Sequence, residues 1–213
     1  MGEHGRWLRG RRRRGRWRNK TRARQALEVL ARMMDFADPQ TSEHSSDVAD
    51  LVPLVAGVLG LSDKDIEEIE LAARFHDIGK VAVPAEVLRK PGPLDELERE
   101  LMACHVEWGA ELLRHLPDCG AIAHIVRHHH ERFDGRGYPD GLTGGDIPLG
   151  SRIIAACDAY GAMISDRPYR PALAEERAVD ELVQGAGTQF DPRAVAAVLR
   201  VVRRPERSKT TAV

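Results

Sequence analysis

Apolar side chains recur at helical spacing over most of this chain, and clear period-2 alternation between turn signals is hard to find. This pattern predicts an all-α fold. Leu27, Leu30, Met33 and Met34 place a first helix over residues 22–36, ended by Asp38-Pro39, and Thr41 is expected to cap a second that reaches about Leu59 before Gly60. Ser62 with Asp65 opens a third, through Ile66, Ile69, Leu71 and Ala72 to about Phe75. Lys90-Pro-Gly-Pro-Leu94 cannot be helical and reads as a loop. Asp95 with Glu98 forms a capping box for a helix through Leu113, and another is expected over 121–130. Six glycines and two prolines between Asp134 and Gly150 mark a long ordered loop, with Tyr138, Leu142, Ile147 and Leu149 as its apolar anchors. Helices follow over 151–164, 174–185 and 192–202, the last with Asp191 as cap and Pro192 at its first position.

The near-zero net charge of −1 hides a division of the chain. Residues 1–24 carry eleven Lys and Arg side chains against one acid, Glu3, so this arm is +10 and the remainder −11. The expected organisation is a basic arm over 1–24, one folded domain over 25–204 and a polar tail over 205–213. A hydrophobic content of 42% excludes disorder for the body. A membrane span is not expected: in the first half the longest uncharged apolar stretch, Leu51 to Ser62, has twelve residues where a span needs ~20. The basic start is followed by an interrupted amphipathic pattern, unlike a secretory signal. Three cysteines without paired spacing (Cys104, Cys119, Cys157) point to a reducing, cytoplasmic setting.

His76-Asp77 lies at the end of an apolar helix, followed by Ile78-Gly79-Lys80. Alone, such a pair is most often an ordinary hydrogen-bonded pair. Here His44, His105 and His129-His130 accompany it, and Asp158 stands in the apolar run Ile153 to Ala159, where an unpartnered carboxylate would be costly to bury. Imidazoles with a few carboxylates are a ligand set for Zn, Fe, Mn or Ni, and one carboxylate can bridge two ions. Lys80 is placed to neutralise a phosphate oxygen nearby. Spacing alone leaves the reaction open.

His76-Asp77-Ile-Gly-Lys80, taken with His129-His130-Glu131-Arg-Phe-Asp134-Gly-Arg-Gly137-Tyr138-Pro139, resembles an HD-GYP domain, a branch of the HD phosphohydrolase superfamily. The likeness extends from about Asp38 to Arg200. It includes Asp38-Pro-Gln-Thr41-Ser-Glu-His44-Ser, Lys90-Pro-Gly-Pro-Leu94, His105 followed by Gly109, Ile147-Pro-Leu-Gly-Ser-Arg152-Ile, Asp166-Arg167-Pro-Tyr-Arg170 and Gly187-Thr-Gln-Phe190-Asp-Pro192. The resemblance implies a helical bundle with its site in the core and hydrolysis of cyclic di-GMP to pGpG, with GMP as a further product, by a hydroxide bridging two divalent metal ions, Fe or Mn. Carried over, His44, His76, Asp77 and Asp158 hold one ion; His105, His129 and His130 hold the other, with Asp77 shared. Lys80, Arg167 and Arg170 would contact substrate phosphates, and Tyr138 either stacks on guanine or simply anchors its loop.

Two positions depart from the family pattern. Gln40 replaces the glutamate of three-metal members, so two ions are expected, and Gly161 stands where a second aspartate is common. His115, His124 and His128 are read as surface or supporting histidines, Cys104 and Cys157 as small buried side chains, and Glu131 and Asp134 as orienting the histidines or the loop. Rival readings keep the metal site but change the substrate to another cyclic dinucleotide or nucleotide, or make the chain a weakly active module that binds a partner such as a diguanylate cyclase. The arm, with Trp7 and Trp17, is either a solvated tail or a contact for anionic lipid or nucleic acid.

Overall fold

A computed structural model describes residues 21–37, 39–166 and 171–203. The all-α expectation holds: ten helices, α1 (Thr21–Ala37), α2 (Pro39–Val58), α3 (Asp63–Phe75), α4 (Ala85–Leu88), α5 (Glu96–Ala103), α6 (His105–Arg114), α7 (Gly120–Arg127), α8 (Leu149–Ile164), α9 (Glu175–Gly185) and α10 (Pro192–Val202), account for most of the described residues. Two short 3-10 turns, Ile78–Ala82 and Gly144–Asp146, complete the regular structure, and the only β-type pairings among the described residues are two isolated bridges.

α2 is the centre of the bundle, packed against α1, α3, α8 and α10. Its sequence explains why: Val48, Val52 and Val55 make one buried stripe at helical spacing, while Ala49 and Ala56 on the neighbouring stripe are small enough for partner helices to approach. α3, α7 and α8 close the core with Ile69, Ala72, Ile122, Val126, Ile153 and Ile154, all buried. Three ends are fixed as their sequences suggest. Ser62 Oγ accepts the Asp65 amide, Asp95 and Glu98 form a reciprocal capping box, and Asp191 accepts the Arg193 amide ahead of Pro192.

Some boundaries differ from the sequence expectation. Thr41 is not a cap, because α2 already begins at Pro39, whose missing N–H costs nothing in a first turn. The helix expected from Asp95 to Leu113 is broken at Cys104 into α5 and α6, and the one expected over 121–130 stops at Arg127. The 3-10 turn after Asp77 and the short α4 were not foreseen. Cys104 is only half-buried, its thiol donating to the Glu100 carbonyl, whereas Cys157 is fully buried.

Candidate metal centre

Three helix ends, those of α3, α5 and α7, are followed by a histidine that makes the same bond. His76 Nδ1 lies 2.7 Å from the Ala73 carbonyl, His105 Nδ1 2.7 Å from that of Met102, and His129 Nδ1 2.6 Å from that of Val126. A carbonyl only accepts, so each Nδ1 carries the hydrogen and donates. Each ring therefore binds a carbonyl three residues back, one of the acceptors a helix end leaves free, and its Nε2 is turned into the molecule. This second bond fixes tautomer and ring direction in the way metal-ligating histidines require.

These nitrogens converge on Asp77, which is 4% exposed and sits between α3 and the 3-10 turn. Oδ1 lies 3.4 Å from His105 Nε2; Oδ2 lies 3.4 Å from His76 Nε2 and 2.6 Å from Lys80 Nζ. The two oxygens thus face two different sets of donors. On the Oδ1 side, Asp77, His105, His129 and His130 bring one ligand atom each within 4.8 Å of one another. On the Oδ2 side, His76 Nε2 is 4.0 Å from Asp158 Oδ1, and His44 Nε2 is 2.6 Å from the same oxygen. All seven residues expected as ligands are therefore gathered in one place.

Asp77 Oδ1, His105 Nε2 and His129 Nε2 are buried and have no hydrogen-bond partner, an arrangement costing ~1–3 kcal/mol per group unless something binds there. The donor set and its lone pairs fit divalent cations of the Fe, Mn or Zn type.

The charges agree. Burial and mutual repulsion lower the pKa of His105, of His129 strongly and of His130 to about 4, so these rings are neutral with free lone pairs. Burial opposes charge on His76 too, but the Asp77 and Asp158 carboxylates overcome it and raise its pKa to about 9. Burial likewise disfavours charge on the carboxylates. Lys80 and His76 outweigh it to hold Asp77 well below the usual range, and His44 and His76 hold Asp158 at about 2.

Two glycines border the centre, and one of them is required there. A Cβ on Gly79 would lie 1.9 Å from the His105 carbonyl oxygen and 2.6 Å from the Gly109 nitrogen, so only glycine lets the Asp77 turn press on α6. A Cβ on Gly161 would stand 3.4 Å from His44 Cε1, which places this departure from the family pattern directly beside a proposed ligand. The Tyr138 ring packs on His130, centroids 5.1 Å apart and tilted by 35°, so it is at least a loop anchor. The loop itself is pinned from below by the Phe133 and Asp134 amides, which donate to the carbonyls of Gln189 and Thr188. Arg152 joins the same region by its 2.7 Å bond to buried Asp191.

Of the histidines expected at the surface or in supporting roles, His115 is exposed, and His128 is buried and bonded through Nε2 to Asp140 at 2.8 Å. Asp134 binds Arg132 and the Arg136 amide within the loop. Sequence reading left Asp140 unnoticed and gave Glu131 no definite partner. A signal for Glu131 was its place directly after the histidine pair at the mouth of a glycine-rich loop. The side chain of Gln40, Arg167 and Arg170, residues 1–20 and the tail from 204 lie outside the described residues.

Residues 28–194 match the family model described as HD domain. The chain is 44% identical over 183 residues to the cyclic di-GMP phosphodiesterase response regulator RpfG of Xanthomonas campestris, covering 84% of this chain and 48% of that protein. It is 36% identical over 176 residues to the 3'3'-cGAMP-specific phosphodiesterase 3 of Vibrio cholerae, covering 83% of this chain and 38% of the relative. It thus spans about half or less of the length of these relatives. A solved cyclic GMP-AMP specific phosphodiesterase of V. cholerae, V-cGAP3, superposes with a TM-score of 0.66 over 85% of this chain and 49% of that one, at 21% identity, a likeness that speaks to the fold alone.

Proposed function

Since the chain belongs to the HD domain family, and its motifs follow the HD-GYP branch, we propose that it is a metal-dependent phosphodiesterase that hydrolyses cyclic di-GMP, with pGpG or GMP as the final product. The observation that carries this reading is the shared Asp77 carboxylate, one oxygen facing each of two donor sets, with unpartnered buried ligand atoms around it. In it, His44, His76, Asp77 and Asp158 hold one divalent cation, Fe or Mn, and Asp77, His105, His129 and His130 hold a second. Bound there, the cations would supply the Lewis acidity that activates water and offsets the charge gathering on the phosphoryl oxygens.

The chain's own side chains do the rest. Lys80 keeps Asp77 ionised through their 2.6 Å contact and, being 26% exposed with three donors, also offers a hydrogen to a phosphate oxygen from the open side. Arg167 and Arg170 are assigned to the phosphates as permanently charged planar forks. Tyr138 offers the face turned away from His130 to a guanine. Burial pushes its hydroxyl pKa up, so it stays neutral and serves as a stacking surface and not as a base. A cytoplasmic location follows from a nucleotide second messenger as substrate. Among the described residues no helix is long and apolar enough to cross a membrane.

A second substrate, 3'3'-cGAMP, is favoured by one observation, the 36% identity to a phosphodiesterase named for it. The ligand set bears on the bond broken and not on the base. Anaerobic purification, metal analysis and chromatography after incubation with each dinucleotide test both readings. Fe or Mn with pGpG or GMP from cyclic di-GMP supports the first; turnover of cGAMP alone transfers the assignment to the second; a fully loaded protein that cleaves neither overturns both.

A further inference from the structure

The segment Arg127 to Glu131 faces two ways. His129 and His130 turn to the metal centre, while the residues on either side of them turn to the loop that carries Tyr138. Glu131, 4% exposed, spends both carboxylate oxygens on that loop: Oε1 accepts the Asp140 amide at 2.8 Å and Oε2 the Leu142 amide at 3.1 Å. Asp140 is held a second time by its side chain, which accepts from His128 Nε2 at 2.8 Å and from Arg127 at 2.8 and 3.3 Å. Arg127 is itself anchored to Glu107 of α6 at 2.6 Å. The loop lies so close to this segment that a Cβ on Gly137 would meet the Arg132 nitrogen at 2.3 Å and the Glu131 Cα at 2.5 Å.

From these contacts we infer that Glu131 and Asp140 are positioning residues for substrate: they set the height of Tyr138 over the His130 ring, and so the placement of the outer ring face on which a nucleobase stacks. The inference rests on the function proposed above and adds to it a division of labour. His129 and His130 serve the cations, and their chain neighbours serve the base. Glutamate is required at 131 because two amides converge on it. A glutamine of the same shape has one acceptor oxygen and would present an NH2 group to the second amide, leaving that N–H unsatisfied.

Glu131→Gln is therefore expected to keep wild-type metal content and kcat within about twofold while raising KM about tenfold, within the range that loss of one base–aromatic stack costs. Asp140→Asn should act in the same direction. In a Tyr138→Leu background Glu131→Gln should add nothing, because the ring it positions is gone. Amide hydrogen exchange gives a readout independent of turnover, with residues 138–142 exchanging faster in Glu131→Gln and α2 and α8 unchanged. Unchanged KM and exchange in both variants, loss of metal in place of the KM effect, or full additivity with Tyr138→Leu would each overturn the inference. If wild-type protein cleaves no dinucleotide at all, the proposed function fails, whereas the exchange measurement still decides whether Glu131 holds the loop.

Discussion

Replacing Gly79 by alanine adds a single methyl group at the tightest point of the site. The new Cβ would start 1.9 Å from the His105 oxygen, 2.6 Å from the Gly109 nitrogen and 2.8 Å from the His105 carbonyl carbon, all backbone atoms of α6. No rotamer change relieves this, so the turn carrying Asp77 must retreat by about 1 Å or more. Overpacking of this kind costs ~1–3 kcal/mol, and backbone obstruction places this case at the upper end. For a domain of this size ~3 kcal/mol lowers Tm by about 6–12 °C. The retreat also lengthens the 3.4 Å separation of Asp77 Oδ1 from His105 Nε2, so metal content should fall with stability. Gly57→Ala is the matched control: nothing lies within 4 Å of its added Cβ, and in α2 it should stabilise by ~0.4–1 kcal/mol. Thermal unfolding with metal analysis measures both. A Gly79→Ala protein with Tm within about 2 °C of wild type, roughly one quarter of the expected shift, and full metal content would refute the reasoning.

Asp77→Ala should remove both cations and lower turnover by more than about 10³-fold, since the shared ligand is lost to both sites; metal analysis beside a product assay checks it, and an active variant ends the assignment. At pH 7 the His76 ring, with its pKa raised to about 9, holds a proton that a cation must displace, while His105, His129 and His130 are already neutral. Cation affinity should therefore rise about tenfold per unit from pH 7 and level off above about 9, with about one proton released, measurable by calorimetry in buffers of different ionisation enthalpy. In the metal-free protein the sign is opposite: the charged His76 contributes stability in full below the ordinary histidine value of ~6.5, and that contribution is lost as pH rises through about 9. Deletion of residues 1–20 should leave kcat unchanged and alter only retention on anionic vesicles or nucleic acid, because the +10 arm lies outside the family match.

Local chemistry was legible at most of the caps and breakers that act within four residues, Thr41 being the exception. Ser62, Asp95 with Glu98, and Asp191 all cap as their sequences suggest, and Lys90-Pro-Gly-Pro-Leu94 is the non-helical link between α4 and α5. What escaped was the ending of helices by side chains. Periodicity carries α5 through Cys104 and α7 through His130, and it has no means of showing that His105 and His129 each take back a carbonyl of the helix that precedes them. The same blind spot hid the 3-10 turn after Asp77. The candidate site's residues could be picked out because His76-Asp77 and His129-His130 stand in recognisable company, though the direct His44 to Asp158 bond spans 114 positions that no local pattern connects. Glu131 and Asp140 carried no motif of their own; their importance comes from burial and from amides supplied by a loop nine to eleven residues on.

In the function proposed, Asp77 is a carboxylate shared between two cations. Anomalous diffraction from crystals of protein loaded anaerobically with Fe or Mn measures this. Two peaks about 3.5–4 Å apart, one beside each Asp77 oxygen, are predicted. A single peak within the Asp77, His105, His129 and His130 cluster, or none near Asp77, would contradict it.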